Sequence, residues 1–368
     1  MTEERKKIMN SHPIEASRRI AREARRRIEL VAAHMPGGRE RLKAVEGSET
    51  DRIVVISDTH FGDPFDVLTS NHLVEALVEC LEGLGDIDEL ILLGDVFDFW
   101  KAPIDEAMTR SKRFMSALYM LNNVGRMVYI PGNHDHYVFR LYYQEQIINR
   151  LRAGELDQPE LNMPLTTDCP TMDALRPKGA RVPLVAVYPI YQVSVRGRQA
   201  LLTHGQLLGF FERALWAPGR SRVSSLVLKK SESLGLEDME IFISPFYEML
   251  TLSALVPGVP NGGYRVYRML SRTGKALGLQ GAARESASRG TTIEENVAEI
   301  EALLDYLCDE KPDYFVYGHT HRAGILALPL SGTIAINTGC WLADGVPYNA
   351  KNIVLEITDE ARLIRVNA

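Results

Sequence analysis

The sequence predicts an α/β core, and two observations carry this prediction. Short runs of aliphatic and β-branched residues stop abruptly at polar residues, which is typical of buried strands that lead into loops. The five runs lie at residues 53–56, 90–93, 127–130, 201–203 and 314–317. Helical stretches at residues 71–84 and 108–123 separate several of these runs, as expected for an α/β arrangement.

Three expected hairpins make the predicted sheet mixed rather than purely parallel. They lie at residues 184–203, where the chain is expected to turn at residues 196–198, and at residues 324–336 and 352–366. Each combines alternating apolar residues with a polar or glycine-containing turn. The core therefore contains both parallel and antiparallel strand pairs.

Three regions are expected along the chain. Residues 1–49 are predicted to form a basic, helical N-terminal appendage, because residues 1–50 carry twelve Lys and Arg against eight Asp and Glu. Apolar residues recur there at three- and four-residue steps between residues 14 and 31. Residues 50–205 and 311–368 form the predicted core. Residues 206–310 form a mainly helical cap insertion, since few strand-like runs occur between its Pro-Gly and Gly-Gly pairs.

Composition narrows the class of protein. With 45% hydrophobic and 24% charged residues the chain is typical of globular proteins, which excludes disordered, collagen-like and disulfide-scaffold classes. The net charge of −6 argues against a specific nucleic-acid partner. The four cysteines form no CxxC pair, and no apolar leader is recognised, so a cytoplasmic location is predicted. The N-terminal basic helix leaves peripheral contact with anionic lipid as an alternative to docking on the core.

Each strand-like run is followed by residue types that bind metal ions. They are Asp58 and His60, Asp95 and Asp98, Asn133 with His134 and Asp135, His204, and His319 and His321. Loops at the carboxyl ends of strands converge on one crevice in open α/β sheets, so these groups are expected to meet. Residues two apart in extended backbone point the same way, which predicts that Asp58 and His60 can share a site, as can His319 and His321.

The donor types indicate the metal and the chemistry. Imidazole, carboxylate and carboxamide groups without thiolate suit borderline divalent ions such as Mn²⁺, Fe²⁺, Zn²⁺ or Co²⁺. These groups are too many for one ion, whereas two ions roughly 3.5–4 Å apart would use most of them. That spacing suits hydrolysis at phosphorus, so the sequence predicts a dinuclear metal-dependent phosphoesterase.

The order of these blocks resembles the full signature of the calcineurin-like metallophosphoesterase superfamily. The blocks DTH, GDVFD, GNHD, HG and GHTH match D-x-H, G-D-x-x-D, G-N-H-D/E, H and G-H-x-H in order between residues 58 and 321. The resemblance implies two facing mixed β-sheets flanked by helices, with two divalent metal ions, Mn²⁺ first among them, at one edge. It further implies that Asp58, His60, Asp95 and His321 hold the first ion, and that Asp95, Asn133, His204 and His319 hold the second.

The same resemblance implies a catalytic role for His134. This side chain would stabilise the transition state or protonate the leaving oxygen, with Asp135 or Asp98 orienting it. Neighbouring residues are interpreted more simply. His136 is either a substrate-side or a surface residue, and Asp63 is interpreted as a solvated loop residue, with a position facing the site as the alternative. Cys340 is interpreted as a packing residue, as are Phe97, Phe99 and Trp100, for which a substrate platform is the alternative.

A partial resemblance bears on the substrate. The segments LGDVFDFW, LTHGQLLG and GHTHR are similar to UDP-2,3-diacylglucosamine hydrolases, although those enzymes usually have Arg in place of His134 and an acid in place of Gln206. In them, an insertion at the same place covers the active site and holds acyl chains. Here residues 206–290 carry eleven Lys and Arg against seven Asp and Glu, which suits an anionic substrate.

Three functions follow from these observations. The first is hydrolysis of a phosphodiester or pyrophosphate bond in a phosphorylated small molecule, with lipid-linked and nucleotide-sugar substrates as the candidates. The alternative is a phosphomonoesterase that acts on phosphoprotein or nucleotide. The third is a non-catalytic scaffold, against which the complete set of candidate ligands argues.

Overall fold

The computed structural model describes residues 44–155, 157, 169–206, 208, 244, 247–252, 254, 291–343 and 348–367. The helix predicted at residues 14–31 and most of the predicted cap insertion lie outside these residues. Among the described residues, no helix is long and apolar enough to cross a membrane.

The described residues form twelve strands and five α-helices. The strands are β1 (Val45–Thr50), β2 (Ile53–Ile56), β3 (Ile87–Leu93), β4 (Val124–Ile130), β5 (Leu184–Ala186), β6 (Tyr191–Val195), β7 (Arg198–Leu202), β8 (Tyr314–Tyr317), β9 (Gly324–Ala327), β10 (Ile334–Asn337), β11 (Ile353–Ile357) and β12 (Ala361–Arg365). The helices are α1 (Asn71–Gly83), α2 (Ile104–Tyr119), α3 (Tyr137–Ala153), α4 (Pro170–Asp173) and α5 (Ile293–Leu307). A 3₁₀ turn covers Tyr348–Ala350.

These strands make two six-stranded mixed sheets. Sheet 1 has the order β1-β6-β7-β8-β10-β9, and sheet 2 has the order β12-β11-β2-β3-β4-β5. The five predicted strand runs correspond to β2, β3, β4, β7 and β8. The three predicted hairpins correspond to the antiparallel pairs β6–β7, β9–β10 and β11–β12. The start predicted for the first one, at residue 184, is wrong, because Leu184–Ala186 form β5, which pairs in parallel with β4 in sheet 2. The α/β class and the two-sheet mixed architecture are confirmed.

The two sheets face each other across an apolar core. Ile53 and Ile91 of sheet 2 lie in one cluster with Val193, Leu202 and Val316 of sheet 1. The alternate residues of sheet 2 pack against α1 and α2, and those of sheet 1 pack against α5. Strands covered on both faces are apolar throughout, which is why the sequence shows continuous aliphatic runs there.

Two observations bear on the predicted region boundaries. Strand β1 pairs in parallel with β6, so the boundary predicted between residues 49 and 50 falls inside a strand of sheet 1. Helix α5 lies within the range 206–310 that was predicted as a cap, yet its buried Ile300 and Leu303 pack against Phe315 of sheet 1. This helix is therefore a layer of the core, because its apolar stripe covers the outer face of a sheet.

Candidate metal centre

The candidate ligands come together at one edge of the paired sheets. Strands β2, β3 and β4 run in parallel in sheet 2, and β7 and β8 run in parallel in sheet 1, so within each sheet their carboxyl ends share an edge. Backbone hydrogen bonds tie the loops together, since the amide of Asp58 donates to the carbonyl of Gly94 at 3.0 Å. All seven candidate ligands are at most 6% exposed.

The first cluster consists of Asp58, His60 and His321. Nε2 of His321 lies 3.1 Å from Oδ1 of Asp58, and 3.1 Å from Nε2 of His60. Nε2 of His60 lies 3.7 Å from the same Asp58 oxygen. Three potential ligand atoms from two distant parts of the chain therefore surround one point and could hold a metal ion.

The second cluster consists of Asp95, His204 and His319. Oδ2 of Asp95 lies 3.2 Å from Nε2 of His204, and the rings of His204 and His319 meet edge to face. The same Asp95 oxygen lies 3.7 Å from Nε2 of His60 in the first cluster. Asp95 is thus placed between the two clusters, which agrees with the resemblance, since that implies Asp95 as a ligand of both ions.

The backbone at this edge is unusual. Positive φ angles occur at five of the seven candidate ligands, namely Asp58 (53°), His60 (51°), Asp95 (50°), His319 (64°) and His321 (58°). Non-glycine residues rarely adopt this left-handed conformation, and such residues cluster at functional sites. The expectation that Asp58 and His60 converge through extended backbone is wrong, because tight left-handed turns bring them together instead.

The unpartnered atoms at the site suit a cation. Nδ1 of His204 lies 2.9 Å from the carbonyl oxygen of Leu93, which can only accept, so in the neutral ring Nδ1 carries the proton and Nε2 is the nitrogen that offers a lone pair. Among the described residues, Nε2 of His204 and Oδ1 of Asn133 have no hydrogen-bond partner although both are buried. Buried acceptors without a donor are costly, and a divalent cation would satisfy both. The residues present therefore fit a metal centre.

The charges at the site also suit cation binding. Burial opposes the ionisation of Asp95, but His204 and His134 outweigh burial and hold its pKa well below the usual range. Burial likewise disfavours charge on the histidines, yet Asp58 and Asp98 raise the pKa of His60 to about 9. Asp95 and Asp58 raise the pKa of His204 to about 10 against the same burial. Protons thus occupy the positions that a metal ion would take.

His319 is neutral, in contrast to the protonated His60 and His204. Burial and the positive charge on His204 lower the pKa of His319 well below the usual range. Its ring is therefore neutral at neutral pH, and a neutral imidazole is the form that coordinates a metal ion.

The predicted catalytic residues occupy distinct places. Nδ1 of His134 lies 2.8 Å from Oδ1 of Asp98, and these two residues form a third cluster with His60. Asp135 instead accepts hydrogen bonds from the backbone amides of Gly132 at 2.6 Å and Val96 at 2.7 Å. Of the two carboxylates expected to orient His134, Asp98 is the one in direct contact, whereas Asp135 holds two loops together.

Asp135 has a shifted pKa of its own. Burial, together with the charge of Asp95, raises the pKa of the Asp135 carboxyl to about 6. The cost of charging this group is partly relieved by the backbone amides that it binds.

Aromatic residues surround His134. The indole of Trp100 stacks on the His134 ring with a centroid separation of 3.9 Å, and Tyr247 contacts Trp100 at 5.5 Å. Phe97 and Phe99 stack on each other in the core, as predicted. Trp100 was predicted to be a packing residue as well, and it does pack in a buried cluster with Tyr247 and Leu250, but it also stacks on His134 at the candidate active site.

The structure also tests the sequence-based interpretations of Asp63, His136 and Cys340. Asp63 is 1% exposed and pairs with Lys101, so its interpretation as a solvated loop residue is wrong. His136 is 1% exposed and packs edge to face against Tyr188, so its surface interpretation is also wrong. Cys340 is fully buried, as predicted for a packing residue.

Lys101 and Tyr247 were not singled out as site residues. Lys101 follows Asp98 by three positions, and Tyr247 lies far along the chain, so only the folded structure reveals their contacts with this site. For Lys101 the spacing from Asp98 was a weak signal. For Tyr247 the sequence offered none beyond its aromatic character.

Part of the chain matches a known protein family. Residues 51–211 match the family described as calcineurin-like phosphoesterase. A search of curated proteins found no match. The matched segment contains the first four predicted blocks, and the fifth block, at residues 318–321, follows β8 at the same edge.

The chain is also similar to several solved structures. A dimetal phosphatase from Danio rerio shares 13% identity, with 86% of this chain and 99% of that chain covered, at a TM-score of 0.37. A cold-active protein-tyrosine phosphatase from a psychrophilic Shewanella shares 13% identity over 88% and 83% of the two chains, at a TM-score of 0.35. A predicted phosphoesterase from Streptococcus pneumoniae shares 11% identity over 86% and 89%, at a TM-score of 0.28.

The family match, the two six-stranded sheets and the buried His and Asp clusters agree with one another. The protein contains, at residues 51–211, a segment that matches the calcineurin-like phosphoesterase family. It is a metal-dependent phosphoric ester hydrolase whose residue clusters could bind divalent ions.

Proposed function

We propose that this protein is a dinuclear metal-dependent hydrolase of phosphodiester or pyrophosphate bonds. One observation carries the dinuclear centre: Oδ2 of Asp95 lies 3.2 Å from His204 of one cluster and 3.7 Å from His60 of the other. A carboxylate in this position can serve two ions at once.

The proposed ligand sets follow from this placement. Asp58, His60, Asp95 and His321 would hold one ion, and Asp95, Asn133, His204 and His319 would hold the other. Mn²⁺ is the proposed metal, with Fe²⁺, Zn²⁺ and Co²⁺ as alternatives, because the donors are nitrogen and oxygen atoms without thiolate. When bound, such a pair supplies a nucleophile near neutral pH and neutralises charge on the phosphoryl oxygens.

His134 is the proposed general acid. With Nδ1 facing the Asp98 carboxylate at 2.8 Å, Nε2 is the ring nitrogen that would give a proton to the leaving oxygen. The indole of Trp100 lies almost parallel to the imidazole, at an interplanar angle of 28°, and limits rotation of the ring. Asp98 and Trp100 together fix the direction in which the proton is delivered.

The described part of the predicted insertion supports a substrate larger than a simple monoester. Tyr247 contacts both Trp100 and His136, at centroid separations of 5.5 and 5.3 Å. Arg140 of α3 lies 4.0 Å from the Glu248 carboxylate. The insertion thus borders the site beside the proposed acid, where it can contact the part of the substrate beyond the phosphorus.

The proposed substrates are lipid-linked or nucleotide-sugar phosphoesters, and the proposed location is the cytoplasm, with contact at the membrane surface. No specific nucleic-acid partner is expected from the acidic net charge of −6. The alternative is a phosphomonoesterase acting on phosphoprotein or nucleotide. The deep burial of every candidate ligand favours the phosphomonoesterase, since a small phosphate group reaches a recessed centre easily.

A substrate panel separates these functions. Full-length protein reloaded with Mn²⁺ would be assayed on aryl diesters, aryl monoesters, nucleoside diphosphate sugars with and without acyl chains, and isoprenoid pyrophosphates. Each substrate would be tested on the wild type, on Tyr247→Ala and on Met249→Ala, the last being a matched control because Met249 is 37% exposed on the same segment.

We expect Tyr247→Ala to lower kcat/KM for the preferred large substrate by roughly ten-fold or more and to spare small aryl diesters, since the lost contact lies outside the reacting atoms. Met249→Ala should leave both unchanged. A preference for small monoesters that neither variant alters would replace this proposal with the phosphomonoesterase.

A further inference from the structure

Lys101 is almost buried beside the proposed catalytic pair. Its side chain is 16% exposed, and its ammonium pairs with the Asp63 carboxylate. The same ammonium lies 3.5 Å from Oδ2 of Asp98, the residue whose other oxygen contacts His134. A buried ammonium is costly without partners, and these two carboxylates supply them.

The Asp98 carboxylate is held from both sides. Oδ1 lies 2.8 Å from Nδ1 of His134, whereas Oδ2 lies 3.3 Å from Nδ1 of His60 and 3.5 Å from the Lys101 ammonium. Among the described residues, Oδ2 has no partner with hydrogen-bond geometry, so its contacts are electrostatic. Of the groups around Oδ2, Lys101 is the one that is neither a candidate metal ligand nor the proposed acid, and its loss would remove a charge that opposes rotation of the carboxylate.

Lys101 is itself fixed in place. Its amide donates to the carbonyl of Asp98 at 3.2 Å, and the amide of Asp63 donates to the carbonyl of His60 at 2.9 Å. Oδ1 of Asp63 accepts from the amide of Phe65 at 2.9 Å, which leaves Oδ2 for the lysine. Arg110 of α2 also donates to the carbonyl of Asp63 at 3.2 Å, so the loop after β2 is anchored to a helix.

We propose that Lys101, anchored by Asp63, is a positioning residue that holds the Asp98 carboxylate in the orientation in which it aligns His134 on the leaving oxygen. The inference rests on the proposed role of His134 as general acid. It assigns to Lys101 and Asp63 a part in the reaction although neither is a candidate metal ligand. Lys101 acts through Asp98 and does not touch the substrate.

The experiment uses two diesters of the same charge and similar shape, bis-p-nitrophenyl phosphate and diphenyl phosphate. Phenolate is the poorer leaving group, so its departure depends more on a correctly aligned acid. Lys101→Met removes the charge and keeps the length of the side chain, and Lys101→Arg keeps the charge. Lys112→Met is the control, because Lys112 is exposed on α2.

We expect Lys101→Met to lower kcat about ten-fold on bis-p-nitrophenyl phosphate and about a hundred-fold on diphenyl phosphate, with KM changed less than about two-fold. Lys101→Arg should keep most of the wild-type kcat, and Lys112→Met should have the same kcat as the wild type. In a His134→Ala background, Lys101→Met should cause no further loss, because residues that act as a unit are not additive. Metal content should not change in any of these variants.

Several outcomes would overturn the inference. A raised KM on both substrates with unchanged kcat would mean that Lys101 binds the phosphate directly. Loss of metal from Lys101→Met would mean that Lys101 acts on the metal ligand His60 and not on the acid. A further decrease in kcat when Lys101→Met is added to His134→Ala would mean that Lys101 acts independently of His134. If His134→Ala shows the leaving-group dependence and Lys101→Met does not, only this inference fails. If His134→Ala lacks that dependence, the proposed acid fails and the inference fails with it.

Discussion

Oδ2 of Asp95 lies 3.2 Å from Nε2 of His204, and neither residue is more than 1% exposed. The carboxylate and the imidazole follow β3 and β7, which belong to different sheets. The contact therefore joins the two sheets at the edge where the candidate ligands collect. Because the same oxygen also faces His60, Asp95 should contribute to the binding of both proposed ions.

Replacing Asp95 should remove both ions together. We expect Asp95→Ala to bind less than one ion per chain after reloading with Mn²⁺, where the wild type binds about two, and to lose measurable phosphodiesterase activity. Metal content by mass spectrometry, together with a circular dichroism spectrum, checks this. Asp105→Ala is the control, since Asp105 is exposed at the start of α2. Two ions retained by Asp95→Ala would contradict the bridging role.

Replacing His134 should separate turnover from metal binding. We expect His134→Ala to keep the metal content of the wild type and to lose roughly 10²–10⁴-fold in kcat, the usual range for a general acid. Asp98→Asn should lower kcat in the same direction, because the amide no longer favours the proton on Nδ1. His72→Ala, at an exposed position of α1, serves as the control. If His134→Ala lost its metal, His134 would be a ligand and not the acid.

The ligand types could be predicted from the sequence because they follow strands whose apolar runs are easy to recognise. Strand β1 could not, since Val45–Thr50 reads VEGSET and has no apolar run, and its place depends on pairing with β6. The left-handed backbone at the ligands could not be predicted either, since residue type rarely demands it. Contacts made by Lys101 and Tyr247 depend on which distant segments the fold brings together.

A glycine beside the ligands gives a test that alters no proposed ligand. A Cβ on Gly132 would overlap the Asp95 carboxylate and lie 2.8 Å from Cδ2 of His204. We therefore expect Gly132→Ala to lose metal and at least about a hundred-fold in activity, since a small misplacement at a reacting centre costs that much. Gly83→Ala is the matched control because no atom lies within 4 Å of its Cβ position. Wild-type metal content in Gly132→Ala would show that the centre tolerates displacement of Asp95.

Metal binding should release protons and strengthen as pH rises. In the metal-free protein the pKa of His60 is raised to about 9 and that of His204 to about 10, in both cases by neighbouring carboxylates acting against burial. Both rings are therefore protonated at pH 7 and must lose a proton to coordinate a metal ion. Calorimetric titration with Mn²⁺ in two buffers of different ionisation enthalpy should show between one and two protons released per chain. A proton release near zero at pH 7 would contradict these pKa directions.

The same shifts predict the pH dependence of the metal-free fold. A histidine whose folded pKa is raised stabilises the fold fully below its ordinary pKa of about 6.5, and this stabilisation is lost as pH rises through the folded value. Between pH 7 and pH 10, His319 does not change the pH dependence of the free energy of unfolding. Burial and His204 lower its pKa, so its ring is neutral in both the folded and the unfolded protein. Asp135, with a pKa of about 6, is ionised in both states there. The free energy of unfolding of metal-free protein should thus fall from pH 7 to pH 10, whereas metal-saturated protein should fall less, because bound metal has already displaced these protons. Urea unfolding at pH 7, 8.5 and 10, with and without chelator, measures both slopes, and a metal-free protein that gains stability with pH would reverse the predicted sign.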